Sequence, residues 1–150
     1  MTNHEIISNL NDLIESCKDG EEGFRTCSDH FADPYLKAEF ATRSRSCEQA
    51  ASELQELVRS LGGKPSTASG VAAALQRRWI DIKSVILGHD DEVILNQCER
   101  VDAHLMESYR QALGMDLPLE IRALVNRQYL GVLQNHDMVK GLRERLHAHS

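Results

Sequence analysis

Apolar residues recur every three or four positions along most of the chain, which is the spacing of one face of an α-helix. The first such stripe follows Thr2, which with Glu5 resembles a capping box, and it continues to about residue 29. A second stripe begins at Asp33-Pro34, an N-cap followed by a proline at the first helical position, and stops at Gly62-Gly63. The two predicted faces are Ile6, Leu10, Leu13, Cys17, Glu21, Phe24 and Ser28, then Leu36, Phe40, Arg43, Cys47, Ala50, Leu54, Leu57 and Leu61.

Three further stripes follow in the second half of the chain. A shorter helix is predicted over Val71–Leu87, a fourth begins after Asp90 or Asp91 and stops at Gly114, and a last helix of about 30 residues opens at Pro118. The predicted face of the third helix is Val71, Leu75, Trp79, Ile82 and Ile86. That of the fourth is Ile94 or Leu95, Cys98, Asp102, Leu105, Tyr109 and Ala112. That of the last is Ile121, Leu124, Gln128, Val132, Asn135 or His136, Val139, Leu142 and Leu146. The sequence therefore predicts an all-α protein.

The lengths of the connections predict how these helices are arranged. The first two helices, and the last two, are joined by only a few residues, so each pair forms an antiparallel hairpin. Between the hairpins lie roughly 28 residues, and a helix of eighteen residues spans about 27 Å, enough to return the chain along the bundle. We therefore predict a single domain, residues 1–150, with the ferritin-like four-helix topology and a crossover that contains the shorter fifth helix. A simple up-down array with a kinked third helix is the alternative.

Composition narrows the classes of function. Of the 150 residues 41% are hydrophobic, the formal net charge is −6, and no run of Lys and Arg is longer than Arg77-Arg78, which argues against nucleic-acid binding. No segment approaches the roughly 18 apolar residues of a membrane span, and the N-terminal residues do not resemble a signal peptide. The four cysteines, 17, 27, 47 and 98, show no CxxC spacing and indicate reduced thiols. We expect a cytoplasmic protein.

Polar residues that interrupt the apolar stripes are the candidates for a site, because a buried polar group needs a partner. Glu21 and Arg43 each lie about ten residues from the first turn, so antiparallel pairing brings them to one height and predicts an ion pair. The crossover topology brings four further polar residues near the same level: Glu99, Asp102, Gln128 and His136. Glu21, Arg43 and Gln128 are therefore predicted to form a structural polar layer. His104 and Glu107 lie off that face.

Such a layer suggests comparison with a dinuclear iron site, which uses a Glu from each of two helices and Glu-x-x-His from each of the other two. Here the second helix has no Glu-x-x-His, Leu133 stands three residues before His136, and Glu99-x-x-Asp102 lacks the histidine. Two interpretations remain open. One is a hydrogen-bonded ionic layer that specifies helix register, with no cofactor. The other is a site for iron or another transition metal, with Glu21, Glu99, Asp102 and His136 as ligands.

Motifs of other catalytic classes do not occur in the chain. There is no G-x-S-x-G elbow, Walker sequence or dinucleotide glycine pattern, and Cys47 and Cys98 lie within apolar stripes as small core residues. No catalytic residue is assigned, and we expect no enzymatic activity because neither a complete di-iron motif nor a hydrolase motif is present.

The runs LNDLIESCKDGEEGF, CERVDAHLMESY and LPLEIRALVNRQYLGVLQNHDMV resemble small bacterial four-helix-bundle proteins grouped as a domain of unknown function. The resemblance implies a ferritin-like fold and a bacterial cytoplasmic setting, and it implies no reaction, substrate or cofactor. We therefore expect a non-catalytic protein with a binding or structural role, related to stress by analogy of fold alone. Long amphipathic helices often leave an apolar strip, so we expect a homodimer. The alternative is a metal-binding redox protein with a reduced set of ligands.

Overall fold

A computed structural model of the protein describes residues 1–67 and 90–148, with only the backbone of His147. These residues form four helices and no strand: α1 (Asn3–His30), α2 (Pro34–Ser60), α3 (Asp91–Leu113) and α4 (Leu119–Ala148). Each agrees with a helix predicted from the sequence to within about two residues. The shorter helix predicted over residues 71–87 lies outside the described residues.

The predicted capping residues account for where the helices begin and end. The side chains of Thr2, Asp33 and Asp90 each accept a hydrogen bond from a backbone N–H in the first turn of the helix that follows. Pro34, which has no N–H to leave unpaired, occupies the first position of α2. After α2 the chain turns at Gly62, whose φ of 82° lies in the left-handed region that favours glycine.

Hydrogen bonds between helices give the direction of α2 and α3 relative to α1. The bonded pairs are Glu21 with Ser44 and Ser28 with Lys37 between α1 and α2, and Asn9 with Ala112 and Cys17 with Tyr109 between α1 and α3. In both sets the residue number falls in one helix as it rises in the other. Both α2 and α3 therefore run antiparallel to α1, and they are parallel to each other.

The direction of α4 follows from the same kind of contact. The bonded pairs are Arg43 with Asn135 and Ala50 with Gln128 between α2 and α4, and Tyr109 with Gln128 and Glu99 with Arg143 between α3 and α4. Because α4 is antiparallel to both α2 and α3, the order is up, down, down, up. This confirms the ferritin-like arrangement of two antiparallel hairpins and excludes the simple up-down array.

The core is formed by the predicted stripes, which face one another at the centre of the bundle. A Cβ atom at Gly20 of α1 would lie 3.0 Å from Leu105 Cδ1 on α3 and 3.1 Å from Cys47 Sγ on α2, so a larger residue would require these side chains to shift. The buried apolar residues of α4 are fewer and include Ile121, Val125 and Val139. No helix among the described residues is long and apolar enough to cross a membrane.

Candidate functional site

Arg43 lies at the centre of the bundle, where its side chain is only 2% exposed. One guanidinium nitrogen, Nη1, lies 3.5 Å from Asp102 Oδ2, and the other, Nη2, donates a hydrogen bond of 2.6 Å to the Asn135 carbonyl. The guanidinium carbon also lies 4.7 Å from the centre of the Phe40 ring, within range of a cation–π interaction. The positive charge is thus held by contacts to α2, α3 and α4 together.

Burial disfavours the charged form of both partners in this ion pair. It raises the pKa of Asp102 to about 7, although Arg43 lowers that pKa, and the nearby Glu99 raises it further. Burial also lowers the pKa of Arg43, against the attraction of Asp102. Both pKa shifts indicate that removing these charges from water costs more free energy than their mutual attraction contributes. A buried ion pair of this kind need not add net stability to the fold.

Glu21 lies at the predicted height but makes different contacts. Its backbone carbonyl accepts a 2.7 Å hydrogen bond from Ser44 Oγ, which places it level with Arg43. Its carboxylate instead pairs within its own helix, with Arg25 Nη2 at 2.7 Å and Lys18 Nζ at 3.6 Å. The ion pair predicted between Glu21 and Arg43 is therefore not formed, because a cation of the same helix is closer and Asp102 provides the buried partner for Arg43.

The remaining predicted metal ligands are Glu99 and His136. Glu99 pairs with Arg143, and the half-buried His136 has a ring nitrogen, Nδ1, that is enclosed without a hydrogen-bond partner among the described residues. Within residues 1–67 and 90–148, no three side chains of His, Cys, Asp or Glu are close enough to share a metal ion. The structure therefore does not gather Glu21, Glu99, Asp102 and His136 into one group.

Gln128 belongs to a second buried network. Tyr109 donates a 2.8 Å hydrogen bond to Gln128 Oε1, and Gln128 Nε2 lies 3.3 Å from both the Ala50 carbonyl and Glu53 Oε1. Since the Tyr109 proton is used in this way, the Cys17 thiol, 3.3 Å from the same oxygen, is the donor in their contact. The network joins all four helices.

The two networks lie at different heights in the bundle. Gln128 precedes Asn135, the partner of Arg43, by seven residues on α4, which is about 10 Å along a helix. The predicted layer of Glu21, Arg43 and Gln128 is therefore divided into two levels. The sequence pattern places Tyr109 in the apolar stripe of its helix. That pattern does not indicate that the Tyr109 hydroxyl joins the network around Gln128.

The thiols of Cys17, Cys47 and Cys98 are held in their protonated form by burial. Burial raises the pKa of Cys17 to about 11 and also raises the pKa values of Cys47 and Cys98. Cys27 and Cys98 are buried, whereas Cys47 is half-buried. A thiol that stays protonated is a poor nucleophile, so the arrangement does not favour cysteine catalysis.

A cavity of about 420 Å³ opens between α2 and α4 and reaches the centre of the bundle. The residues that line it come from all four helices: Cys17, Phe24, Ser46, Cys47, Gln49, Ala50, Glu53, Asp102, Leu105, Tyr109, Arg127, Gln128, Gly131, Val132, Gln134 and Asn135. The sequence did not predict this cavity, because a gap between two helices depends on how all of their side chains fit together.

The chain belongs to the family described as Domain of unknown function (DUF2383), whose profile matches residues 5–115. No curated protein is similar to it in sequence. Its fold is similar to that of a Dps1 mutant from Mycobacterium smegmatis, with a TM-score of 0.78 and 17% identity over 94% of this chain and 96% of that one. It is also similar to a ferritin-like, diiron-carboxylate protein from Bacillus anthracis str. Ames, with a TM-score of 0.72 and 16% identity over 95% and 99%. At these identities the likeness establishes the ferritin-like fold alone.

Proposed function

We propose that this ferritin-like bundle is a non-catalytic protein with a binding or structural role, and that an ion pair takes the place of a metal centre in its interior. The observation that carries the proposal is the position of Arg43, whose buried guanidinium contacts Asp102 and the Asn135 carbonyl between three helices. In di-iron bundles this central space holds carboxylate and imidazole ligands from facing helices.

The residues at the centre do not fit a dinuclear metal site. A fixed cation would repel a divalent ion placed beside it, and in a poorly solvated interior that repulsion is weakly screened. Arg43 also engages Asp102, an acid that is almost completely enclosed. Of the other proposed ligands, Glu99 is paired with Arg143.

The alternative is a metal-binding redox protein that uses Glu21, Glu99, Asp102 and His136 for iron or another transition metal. Two atoms favour it, because Glu21 Oε1 and His136 Nδ1 are buried without a hydrogen-bond partner among the described residues. The arginine partners of Asp102 and Glu99 oppose it, since both would have to move before these acids bound a cation.

Elemental mass spectrometry of untagged protein distinguishes the two functions. The protein is dialysed exhaustively and measured before and after anaerobic addition of ferrous iron and a second dialysis. We expect no stoichiometric metal in either sample, because Arg43 already neutralises the central acid.

A matched pair of double variants identifies the site if metal is found. One carries Asp102→Ala with His136→Ala, and its control carries Glu107→Ala with His104→Ala, which also removes one acid and one histidine but off the predicted face. Stoichiometric metal that the first variant loses and the second keeps, with the helical circular dichroism spectrum unchanged in both, would establish the metal-binding function instead.

We further propose that the protein is a homodimer of the bacterial cytoplasm, with a role in stress physiology that rests on fold analogy alone. Support for the dimer comes from α4, where Leu119 and Leu130 are 83% and 51% exposed. They lie eleven residues apart, which is about three helical turns, and so share one face. Sedimentation equilibrium tests the proposal, and a mass of one chain at micromolar concentration would exclude the dimer.

A further inference from the structure

We propose that the cavity between α2 and α4 is a binding site for a small, uncharged, amphipathic molecule with an apolar or aromatic body and a hydrogen-bonding end. Its volume, about 420 Å³, lies within the range of about 300–1,000 Å³ that is usual for small-molecule sites. Its lining is mixed, with apolar side chains such as Phe24, Leu105 and Val132 beside a larger number of polar ones, which suits an amphipathic ligand.

The inner wall suits an apolar or aromatic body. Phe24 of α1 and Leu105 of α3 are buried there, and the thiol of Cys47 stays protonated because burial raises its pKa. The Tyr109 hydroxyl is already bonded to Gln128, so it does not present an unpaired polar group to a ligand. Contacts with these groups would remove apolar surface of the ligand from water, which is the main favourable contribution to binding at such a wall.

Uncommitted hydrogen-bonding groups lie nearer the solvent side of the cavity. The exposed side chains of Gln49 on α2 and Gln134 on α4 both line it, and neither amide is hydrogen-bonded to any other residue that the structure describes. Each amide offers a carbonyl acceptor and two N–H donors. These two groups would bind the polar end of a ligand whose body lies deeper in the bundle.

The charged residues of the lining explain why the ligand should carry no charge. Arg127 Nη2 lies 2.7 Å from Glu53 Oε2, and Asp102 faces Arg43, so each charge has an opposite partner. A charged ligand would lose its hydration without gaining an unpaired counter-charge, which is unfavourable in a poorly solvated site.

Gly131 offers a way to fill the cavity without disturbing the helices. It lies on the cavity wall, and a Cβ atom placed there would meet nothing within 4 Å among the described residues. Gly141, also within α4, has the same open surroundings but does not line the cavity. Leucine favours a helix more than glycine does, so Gly131→Leu and Gly141→Leu should both keep α4 helical.

The test is a fluorescence titration of the complete chain with N-phenyl-1-naphthylamine, an uncharged aromatic amine that becomes fluorescent in apolar surroundings. We expect saturable binding of one probe per chain, weakened at least tenfold by Gly131→Leu and unchanged by Gly141→Leu. The sulfonated analogue, 8-anilinonaphthalene-1-sulfonate, should bind at least tenfold more weakly than the uncharged amine. Absence of saturation, equal loss in the two variants, or equal binding of the sulfonate would each overturn the proposal.

A second measurement needs no variant and therefore holds even if Gly131→Leu fails to fold. Cys47 lines the cavity and is half-buried, so saturating probe should slow its alkylation by N-ethylmaleimide at least fivefold, as followed by peptide mass spectrometry. Unchanged alkylation of Cys47 would exclude the cavity as the probe site.

The inference rests on the proposed function in one respect, the pairing of Asp102 with Arg43. The two can fail separately, because metal content tests the ion pair and probe binding tests the cavity.

Discussion

Glu99 and Asp102 lie three residues apart on α3, and each carboxylate pairs with an arginine from a neighbouring helix. The side chain of Asp102 is 1% exposed and faces Arg43, whereas that of Glu99 is 25% exposed and faces Arg143. Burial raises the pKa of Asp102 to about 7. The same type of ion pair is therefore almost without water in one place and partly solvated in the other, so water screens the charges of the second pair much more than those of the first.

The largest expected effect comes from removing the cation of the buried pair. Arg43→Met leaves Asp102 enclosed without its partner, so we expect the free energy of unfolding at pH 8 to fall by about 3 kcal/mol, as for a broken buried ion pair. The loss should be smaller at pH 5, because Asp102 then takes up a proton. Urea denaturation followed by circular dichroism measures both values.

The double variant Arg43→Met with Asp102→Asn is the control for this effect. It removes both charges, so most of the stability lost in the single variant at pH 8 should return. A double variant as unstable as the single one would show that the packing of Arg43, and not its charge, was responsible.

A smaller effect is expected from the pH dependence of the unmodified pair. The pKa of Asp102, about 7 in the folded protein, exceeds the value of about 3.9 in an unfolded chain. The raised pKa of Asp102 therefore adds to the free energy of unfolding in full below about pH 4, and this addition is lost as the pH rises through 7.

Between pH 5 and pH 8 we expect the free energy of unfolding of the natural protein to fall by about 2 kcal/mol relative to the Arg43→Met, Asp102→Asn variant. Denaturation at both pH values gives this difference, in which the titration of other groups largely cancels. A constant difference would mean that Asp102 titrates near its ordinary pKa despite its burial.

The smallest effect is expected at the partly solvated pair of Glu99 and Arg143. Glu99→Gln should lower the free energy of unfolding by less than about 1 kcal/mol, because Glu99 and Arg143 are both partly solvated. Even this small effect should shrink when the salt concentration is raised to about 1 M. A loss equal to that of Arg43→Met would contradict the distinction between the two pairs.

Most of the fold was predictable because it depends on local signals. The capping side chains of Thr2, Asp33 and Asp90 satisfy N–H groups of the helix that immediately follows each of them, so short sequence windows contain the information. The stripes likewise record which face of each helix is buried, and the short connections make antiparallel hairpins. Local signals do not show how the side chains of separate helices fit together, so the cavity beside Gly131 had no counterpart in the sequence.

The candidate site was predictable only in part. Counting residues from a turn gives the height of a side chain in the bundle, and Glu21 was correctly placed level with Arg43. It does not give the direction of a side chain around the helix axis, where one residue corresponds to about 100°.

The sequence by itself thus determined the four described helices, their ends, their antiparallel hairpins and the polar residues that interrupt the core. Only the tertiary structure decided that Arg43 pairs with Asp102 and that Glu21 turns to Arg25. The physical reason is that several acids lie within reach of one buried guanidinium. The choice among them depends on the rotation of each helix, and on the cost of leaving a given charge without water, which are properties of the assembled bundle.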